Sequence, residues 1–185
     1  MKSAVYCAQI SNRLHVMREP KSLSFKDAIE ATAYIDTTLS EYMDSYTKEE
    51  VYKMLHSAAE EGNPIMQQFL GLCCSIGYGC ETNQTNAQIW WEKAAEQGEY
   101  IAQYCLGISY YEGDGVPQNY RKAVFWFRKA ADQELDDAQY MLGECYYWGN
   151  GVRKNIDTAI EWYKKAAENG NQAALSVLSQ MFMWS

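Results

Sequence analysis

From about residue 50 onward, apolar and small residues recur along the chain at helical spacing. In the clearest stretch Ala102, Leu106 and Tyr110 follow one another at intervals of four, and Gly113 and Gly115 come next. Residues four apart lie on one face of an α-helix, and glycine accepts the positive φ with which many helices end. The pattern therefore predicts an amphipathic helix that ends near Gly113.

The same stretch occurs three times, offset each time by 36 residues. Two signatures recur in this register, Leu-Gly beginning at 70, 106 and 142, and Gly-x-Gly beginning at 77, 113 and 149. Self-similarity at such a period is typical of solenoid arrays, in which each unit buries its apolar face against its neighbours. The sequence therefore predicts an all-α solenoid of antiparallel helix pairs, with Gly107 letting a neighbouring helix approach closely.

A second helix follows each Gly-x-Gly run. Asn residues recur just before it, at 83, 119 and 155, and an Asn side chain that accepts a hydrogen bond from a free backbone amide is a common N-cap. In the middle unit Ala123, Ala130 and Ala131 share one side of this helix with Trp126. We expect the alanines to admit close packing and Trp126 to fill the gap.

The turn after each second helix is predicted to need a residue with positive φ. Gly62, Gly98 and Gly170 occupy the equivalent position, but the middle unit has Glu134 there. Either Glu134 keeps the positive φ, at a cost of about 1 kcal/mol, or the helix is locally longer.

The repeat register divides the chain into segments. Residues 1–22 carry no repeat signal and are interpreted as an N-terminal cap, either a short hairpin or irregular, and residues 23–62 as a degenerate leading helix pair. Three full repeats span 65–172, namely 65–100, 101–136 and 137–172, and residues 173–185 form a C-terminal capping helix. Capping-box pairs, Ser24 with Asp27 and Thr47 with Glu50, predict the two helix starts of the leading pair, the first helix covering about 25–42.

Charge and hydropathy exclude two classes of partner. The formal net charge is −8, whereas proteins that bind nucleic acid need a basic surface against the phosphates. No window approaches the roughly 18–20 apolar residues of a membrane span, and the N-terminal residues lack the core and cleavage site of a signal peptide. We expect a cytoplasmic protein with no nucleic-acid or membrane partner.

The cysteines and histidines offer little chemistry. Six cysteines occur without a CxxC motif, and only Cys73 and Cys145 share a repeat position. This spacing favours reduced cysteines that serve packing rather than a disulfide framework. His15 and His56 are the only histidines, so we expect no metal site, no cofactor and no catalytic residue.

The repeated signature resembles the SEL-one-like repeat (SLR) family, a relative of the tetratricopeptide repeat. The signature is Ala-x-x-x-Leu-Gly-x-x-Tyr-x-x-Gly-x-Gly-Val, a polar cap, and then Ala-x-x-Trp-x-x-Lys-Ala-Ala, and it is nearly complete in 101–172. The first repeat departs from it, with Cys74 in place of the tyrosine and Cys80 in place of the valine. The resemblance implies a right-handed superhelix, an adaptor role towards other proteins, and no enzymatic activity.

The resemblance also implies where a partner would bind. In the related tetratricopeptide fold, the concave wall consists of first-helix residues outside the packing signature. Carried over by register, this gives the candidate partner-binding residues Tyr104, Ile108, Tyr111, Glu112, Tyr140, Glu144, Tyr147 and Trp148. Tyrosine and tryptophan are typical of binding hot spots. Tyr104 and Tyr140 have a second interpretation, packing between repeats.

Three functional hypotheses remain open at this point. The favoured one is a protein-binding module, with a bacterial immunity protein that neutralises a basic toxin as its specialised form, because an acidic surface speeds association with a basic target. The second is a structural scaffold or adaptor subunit that docks through the apolar C-terminal helix, although we favour a monomer over a dimer formed by that helix. The third is a cysteine-dependent hydrolase, which would need a thiol with a lowered pKa.

Overall fold

The computed structural model describes residues 46–183, and their side chains up to Met181. These residues form eight α-helices and no strand. The helices are α1 (Lys48–Glu60), α2 (Pro64–Ile76), α3 (Gln84–Glu96), α4 (Tyr100–Glu112), α5 (Tyr120–Ala131), α6 (Asp136–Trp148), α7 (Ile156–Glu168) and α8 (Gln172–Met183). The predicted cap over 1–22 and the predicted helix over 25–42 lie outside the described residues.

The helix starts follow the predicted caps. The Thr47 side chain accepts from the Glu50 backbone amide, and the Glu50 carboxylate accepts from the Thr47 amide, which completes a capping box at the start of α1. The side chains of Asn83, Asn119 and Asn155 each accept from the backbone amide three residues on, at the starts of α3, α5 and α7. These bonds satisfy amides that the helices themselves leave free.

The turns confirm the predicted positive φ values. Gly62, Gly98 and Gly170 have φ of 93°, 92° and 102°, and Glu134 has φ of 65°. Glu134 is the only residue other than glycine with a positive φ among residues 46–183. The first alternative is therefore correct: Glu134 keeps the left-handed turn, and the helix is not lengthened.

Helix pairs pack where a glycine faces an aromatic ring. A β-carbon on Gly107 would overlap the ring of Phe127, which is fully buried, whereas Trp126 is only half-buried. The prediction that Trp126 fills the gap is therefore wrong, because the next residue turns towards the glycine. The Trp126 indole lies nearer the surface, with the Lys129 ammonium 5.1 Å from its ring centroid. Burial of a side chain as large as phenylalanine contributes about 1.5–3 kcal/mol.

Residues 46–102 form one compact unit and residues 103–183 another. The core of the first unit lies between α1 and α2 and contains Val51, Leu55, Met66, Phe69 and Leu70. In the second unit a core cluster joins α7 and α8 through Ala159, Tyr163, Ala166 and Ala174, with Tyr140 and Tyr147 of α6 packed against it. α8 thus packs on α7 within its own unit.

Candidate functional site

The eight candidate partner-binding residues all lie on α4 and α6, within the unit of residues 103–183. We call the surface that they form the α4–α6 face. These two helices are the first helices of the second and third repeats. Their register therefore places equivalent residues of the two repeats side by side in the repeat pattern.

Tyr104 packs against a neighbouring helix and is also partly exposed on the surface. It is half-buried, and its ring centroid lies 6.0 Å from that of Phe127 on α5. Burial raises the pKa of its hydroxyl, and the nearby carboxylate of Asp137 raises that pKa further. The side chain therefore rests on the partner helix of its own repeat.

Tyr140 repeats this arrangement one unit later. It is half-buried, and its ring centroid lies 5.8 Å from that of Tyr163 on α7. Burial raises the pKa of the Tyr140 hydroxyl, and the charge of Glu144 adds to the effect. Contact of both tyrosines with the aromatic residue of the second helix supports the packing interpretation for these two positions.

Tyr111 connects α4 to the turn that follows α6. Its hydroxyl oxygen accepts a hydrogen bond from Asn150 Nδ2 at 2.9 Å, and its ring meets that of Tyr120 edge-on at 5.0 Å. Burial raises the pKa of this hydroxyl, and the bond from Asn150 partly offsets the increase. On the same helix Ile108 is half-buried and Glu112 is exposed.

Glu144 is the acidic centre of the face. Its Oε1 accepts a hydrogen bond from the Tyr163 hydroxyl at 2.6 Å, and its Oε2 accepts one from Trp148 Nε1 at 3.1 Å. Burial raises the pKa of Tyr163, and the hydrogen bond and charge of Glu144 raise it further. Two neutral donors from two different helices therefore hold the carboxylate, and the Tyr140 hydroxyl also interacts with it.

Trp148 is the most exposed large apolar residue of the described chain, with 60% of its surface accessible. Its indole is nevertheless fixed on two sides, by the bond to Glu144 and by an edge-on contact with the Tyr147 ring at 4.9 Å. The Lys154 ammonium lies 5.5 Å from the centroid of the Tyr147 ring. An exposed aromatic ring held in one orientation loses little conformational freedom on binding.

The structure also shows neighbours of these residues that the sequence did not indicate. Glu144, Tyr147 and Trp148 line a cleft of about 380 Å³ together with Tyr163, Val177, Gln180 and Met181. We call it the C-terminal cleft. Its second wall is α8, and the repeat register could have suggested this helix as the next first helix after α6. Nothing in the sequence pattern indicated that the Tyr163 hydroxyl would contact this face.

Four of the five cysteines among the described residues have thiols that burial makes harder to ionise. Burial raises the pKa of Cys145 to about 12 and that of Cys80 to about 11, and it also raises the pKa of Cys73 and Cys74. A catalytic cysteine needs the opposite shift. His56 lies 3.7 Å from the Glu60 carboxylate, and its ring meets that of Trp90 edge-on at 5.5 Å.

Two further properties concern metals and membranes. Within residues 46–183, no three histidine, cysteine or acidic side chains are grouped so that they could hold a metal ion. None of the helices in that range combines the length and the apolar character needed to cross a membrane.

The repeats match the family model of the Sel1 repeat over residues 64–99, 101–135 and 136–171, which together make up more than half of the chain. The chain belongs to the Sel1 repeat family. Proteins built from Sel1 repeats generally mediate protein–protein interactions and are typically not enzymes. No curated protein matches the chain.

Solved structures agree with this family assignment. A protective antigen of uropathogenic Escherichia coli that displays an SLR fold matches 95% of this Sel1 repeat chain at 30% identity with a TM-score of 0.76. A Sel1 repeat protein from Oxalobacter formigenes matches 80% of it at 34% identity with a TM-score of 0.67. The chain spans only 36% and 55% of these two proteins.

A third structure supports the fold alone. Cysteine-rich protein B of Helicobacter pylori matches 71% of the chain at 24% identity with a TM-score of 0.58, and 97% of its own length is covered. Together with the packing of consecutive helices in pairs, these matches confirm the predicted fold class, an all-α solenoid of Sel1 repeats.

Proposed function

We propose that this Sel1 repeat chain is a non-enzymatic module that binds another protein on the α4–α6 face, the surface predicted to line the concave side. The observation that carries the proposal is the state of Trp148. A side chain with 60% of its surface in water is held by Glu144 and Tyr147. Large aromatic residues dominate the binding energy of protein interfaces, and a fixed ring costs less entropy to bury than a mobile one.

The charge of the chain supports a basic partner. With a formal charge of −8, the protein attracts basic proteins at long range and speeds their association. This is the motive for the narrower proposal, a bacterial immunity protein that neutralises a basic toxin. The described cysteines are free thiols, which fits the reducing conditions of a cytoplasmic location.

The test of the proposed function is affinity capture from the native cell, followed by binding of the captured protein to variants. Trp148→Ala is expected to lose the partner while keeping its thermal stability, because the indole contributes little to the core. Phe125→Ala is the matched control, since Phe125 is 53% exposed in the same unit but lies on α5. Equal binding by both variants would reject the α4–α6 face.

The scaffold hypothesis remains as a second candidate because α8 leaves an apolar residue in water. Leu175 is 43% exposed, while Ala174 beside it is buried against α7. If α8 docks onto another chain, light scattering will show an oligomer that Leu175→Asp dissociates. A monomer of unchanged size would reject docking through this part of α8.

A further inference from the structure

The C-terminal cleft combines one carboxylate with aromatic and apolar side chains, and the polar Gln180 also lines it. Glu144 contributes a half-buried carboxylate, Trp148 and Tyr147 contribute aromatic rings, and Val177 and Met181 contribute apolar side chains from α8. Its volume of about 380 Å³ lies near the lower end of ligand pockets, which range from about 300 to 1,000 Å³. The cleft therefore suits a single large side chain better than an extended molecule.

The Glu144 carboxylate is positioned and still able to accept hydrogen bonds. Tyr163 and Trp148 each donate one hydrogen bond to a different oxygen, and each carboxylate oxygen can accept two. Both donors are neutral, and within residues 46–183 no lysine or arginine forms an ion pair with Glu144. The negative charge in the cleft is thus oriented by its two donors, and no lysine or arginine of the described residues neutralises it.

The aromatic wall adds a preference for the shape of the cation. The Trp148 indole is tied to the same carboxylate through Nε1, so the edge of the ring lies beside the charge, and 60% of the residue surface is exposed. A planar guanidinium can stack on an indole and reach both oxygens of a carboxylate with parallel N–H groups. Met181 offers an adaptable surface for the methylene stem of such a side chain.

We infer that the C-terminal cleft is a subsite for an arginine side chain of the partner, with Glu144 as its carboxylate and Trp148 as its stacking surface. The inference rests on the proposed function, since it names the chemistry that a protein bound to the α4–α6 face presents at its C-terminal end. In this inference one carboxylate of the acidic chain, that of Glu144, binds the partner directly. A basic partner is then recognised locally as well as attracted at long range.

The experiment uses N-acetyl-arginine amide as the probe and the indole N–H signals of the full chain in NMR spectra as the readout. Six tryptophans give six such signals, and Trp148→Phe assigns the one in the cleft. We expect a saturable shift of the Trp148 signal, because its N–H is bonded to the carboxylate that takes the guanidinium. N-acetyl-citrulline amide, which has the same shape without the charge, should bind at least tenfold more weakly.

Two variants separate the carboxylate from the general charge of the protein. Glu144→Gln keeps one oxygen that can accept from Trp148 Nε1, and the Tyr163 hydroxyl can rotate to accept from the new amide group. The charge is removed, so affinity for the arginine probe should fall at least tenfold. Glu161→Gln, an exposed carboxylate on α7, removes the same charge elsewhere and should leave the affinity unchanged. Melting temperatures of both variants, compared with that of the parent, test whether the fold is kept.

Three results would overturn the inference: no saturable shift with the arginine probe, equal binding of citrulline, or full affinity in Glu144→Gln. Equal affinity for N-acetyl-lysine amide would also overturn the assignment to arginine. If the probe fails while Trp148→Ala still loses the captured partner, the arginine subsite falls and the proposed function stands. If the probe binds as expected but Trp148→Ala keeps the partner, it is the proposed function that fails.

Discussion

The ring of Tyr163 lies directly against the α-carbon of Gly143, in the space that a β-carbon would occupy. The same relationship links Gly71 to Trp91 and Gly107 to Phe127. Three different aromatic side chains thus pack on the same glycine position of three successive repeats. The missing β-carbon sets the distance between the two helices of each pair.

Gly143→Ala is expected to destabilise the protein by about 1–3 kcal/mol, the usual cost of overpacking a core. The added methyl group overlaps the Tyr163 ring, which is fully buried and cannot move aside freely. Chemical denaturation of the variant and the parent measures the difference.

The matched control is Ser179→Ala. Ser179 occupies the register position of Gly143 one repeat later, on α8, and it is exposed. We expect a change within about 0.5 kcal/mol for this surface position. A neutral Gly143→Ala, or equal losses in both variants, would contradict the packing described.

Glu134→Gly is expected to stabilise the protein by roughly 0.5–1 kcal/mol, because glycine adopts a positive φ without the clash of a β-carbon. The φ of 65° at Glu134 would be retained. Glu134→Ala removes the same charge but keeps a β-carbon, so it should give no comparable gain. Thermal melting of the three proteins distinguishes relief of backbone strain from loss of charge, and a gain of equal size in the alanine variant would exclude strain as the cause.

Much of the fold was predictable because its rules act locally. The caps at Asn83 and Asn119 and the turn glycines follow from backbone hydrogen bonds within a few residues. The partner of Gly107 was not predictable in this way. Trp126, which recurs in every repeat, was expected to fill the gap, but the next residue, Phe127, fills it. Any flat ring can pack against the glycine, so the residue type at this position varies between repeats and gave no repeated signal.

The candidate site was predictable in its helices and not in its contacts. Register placed Glu144 and Trp148 on a first helix, and their spacing of four put them on one face, but nothing indicated the hydrogen bond from Tyr163. The bond from Tyr163 joins two helices, and its geometry depends on how closely they pack. The repeat register could have suggested α8 as the second wall of the C-terminal cleft, but the width of the cleft depends on how the helices pack.

Stability should fall as the pH rises from 9 to about 12, in part through Cys145. Burial raises the pKa of this thiol from 9.0 to about 12. The folded protein therefore holds the thiol proton over a range in which the unfolded chain has lost it. The contribution to stability is complete below pH 9 and is lost as the pH approaches the folded pKa.

Urea denaturation of the parent and of Cys145→Ala across this pH range separates the effect of the thiol on stability from the titration of lysines and tyrosines. The alanine variant is expected to lose less stability with rising pH than the parent. Parallel curves would contradict a raised thiol pKa. The same burial predicts that Cys145 resists alkylation near neutral pH until the protein unfolds, and rapid alkylation would revive the hydrolase hypothesis.

Tyr104→Ala and Tyr140→Ala are expected to lower the melting temperature, since both rings rest on the aromatic residue of the paired helix. Truncation of a half-buried aromatic side chain should cost about 1–3 kcal/mol, below the roughly 3–5 kcal/mol typical of fully buried rings. Their effect on partner binding should then follow the loss of folded protein. An unchanged melting temperature for both variants would contradict the packing interpretation and favour a role for these tyrosines in partner binding.

The most direct measurement is calorimetric titration of the captured partner into the parent, Trp148→Ala and Phe125→Ala, each with its melting temperature recorded. If the α4–α6 face binds the partner, Trp148→Ala loses at least tenfold in affinity, or about 1.4 kcal/mol or more. Its melting temperature should match that of the parent, and Phe125→Ala should bind normally. Full affinity in Trp148→Ala, or a loss in affinity that Phe125→Ala shares, would contradict binding at this face.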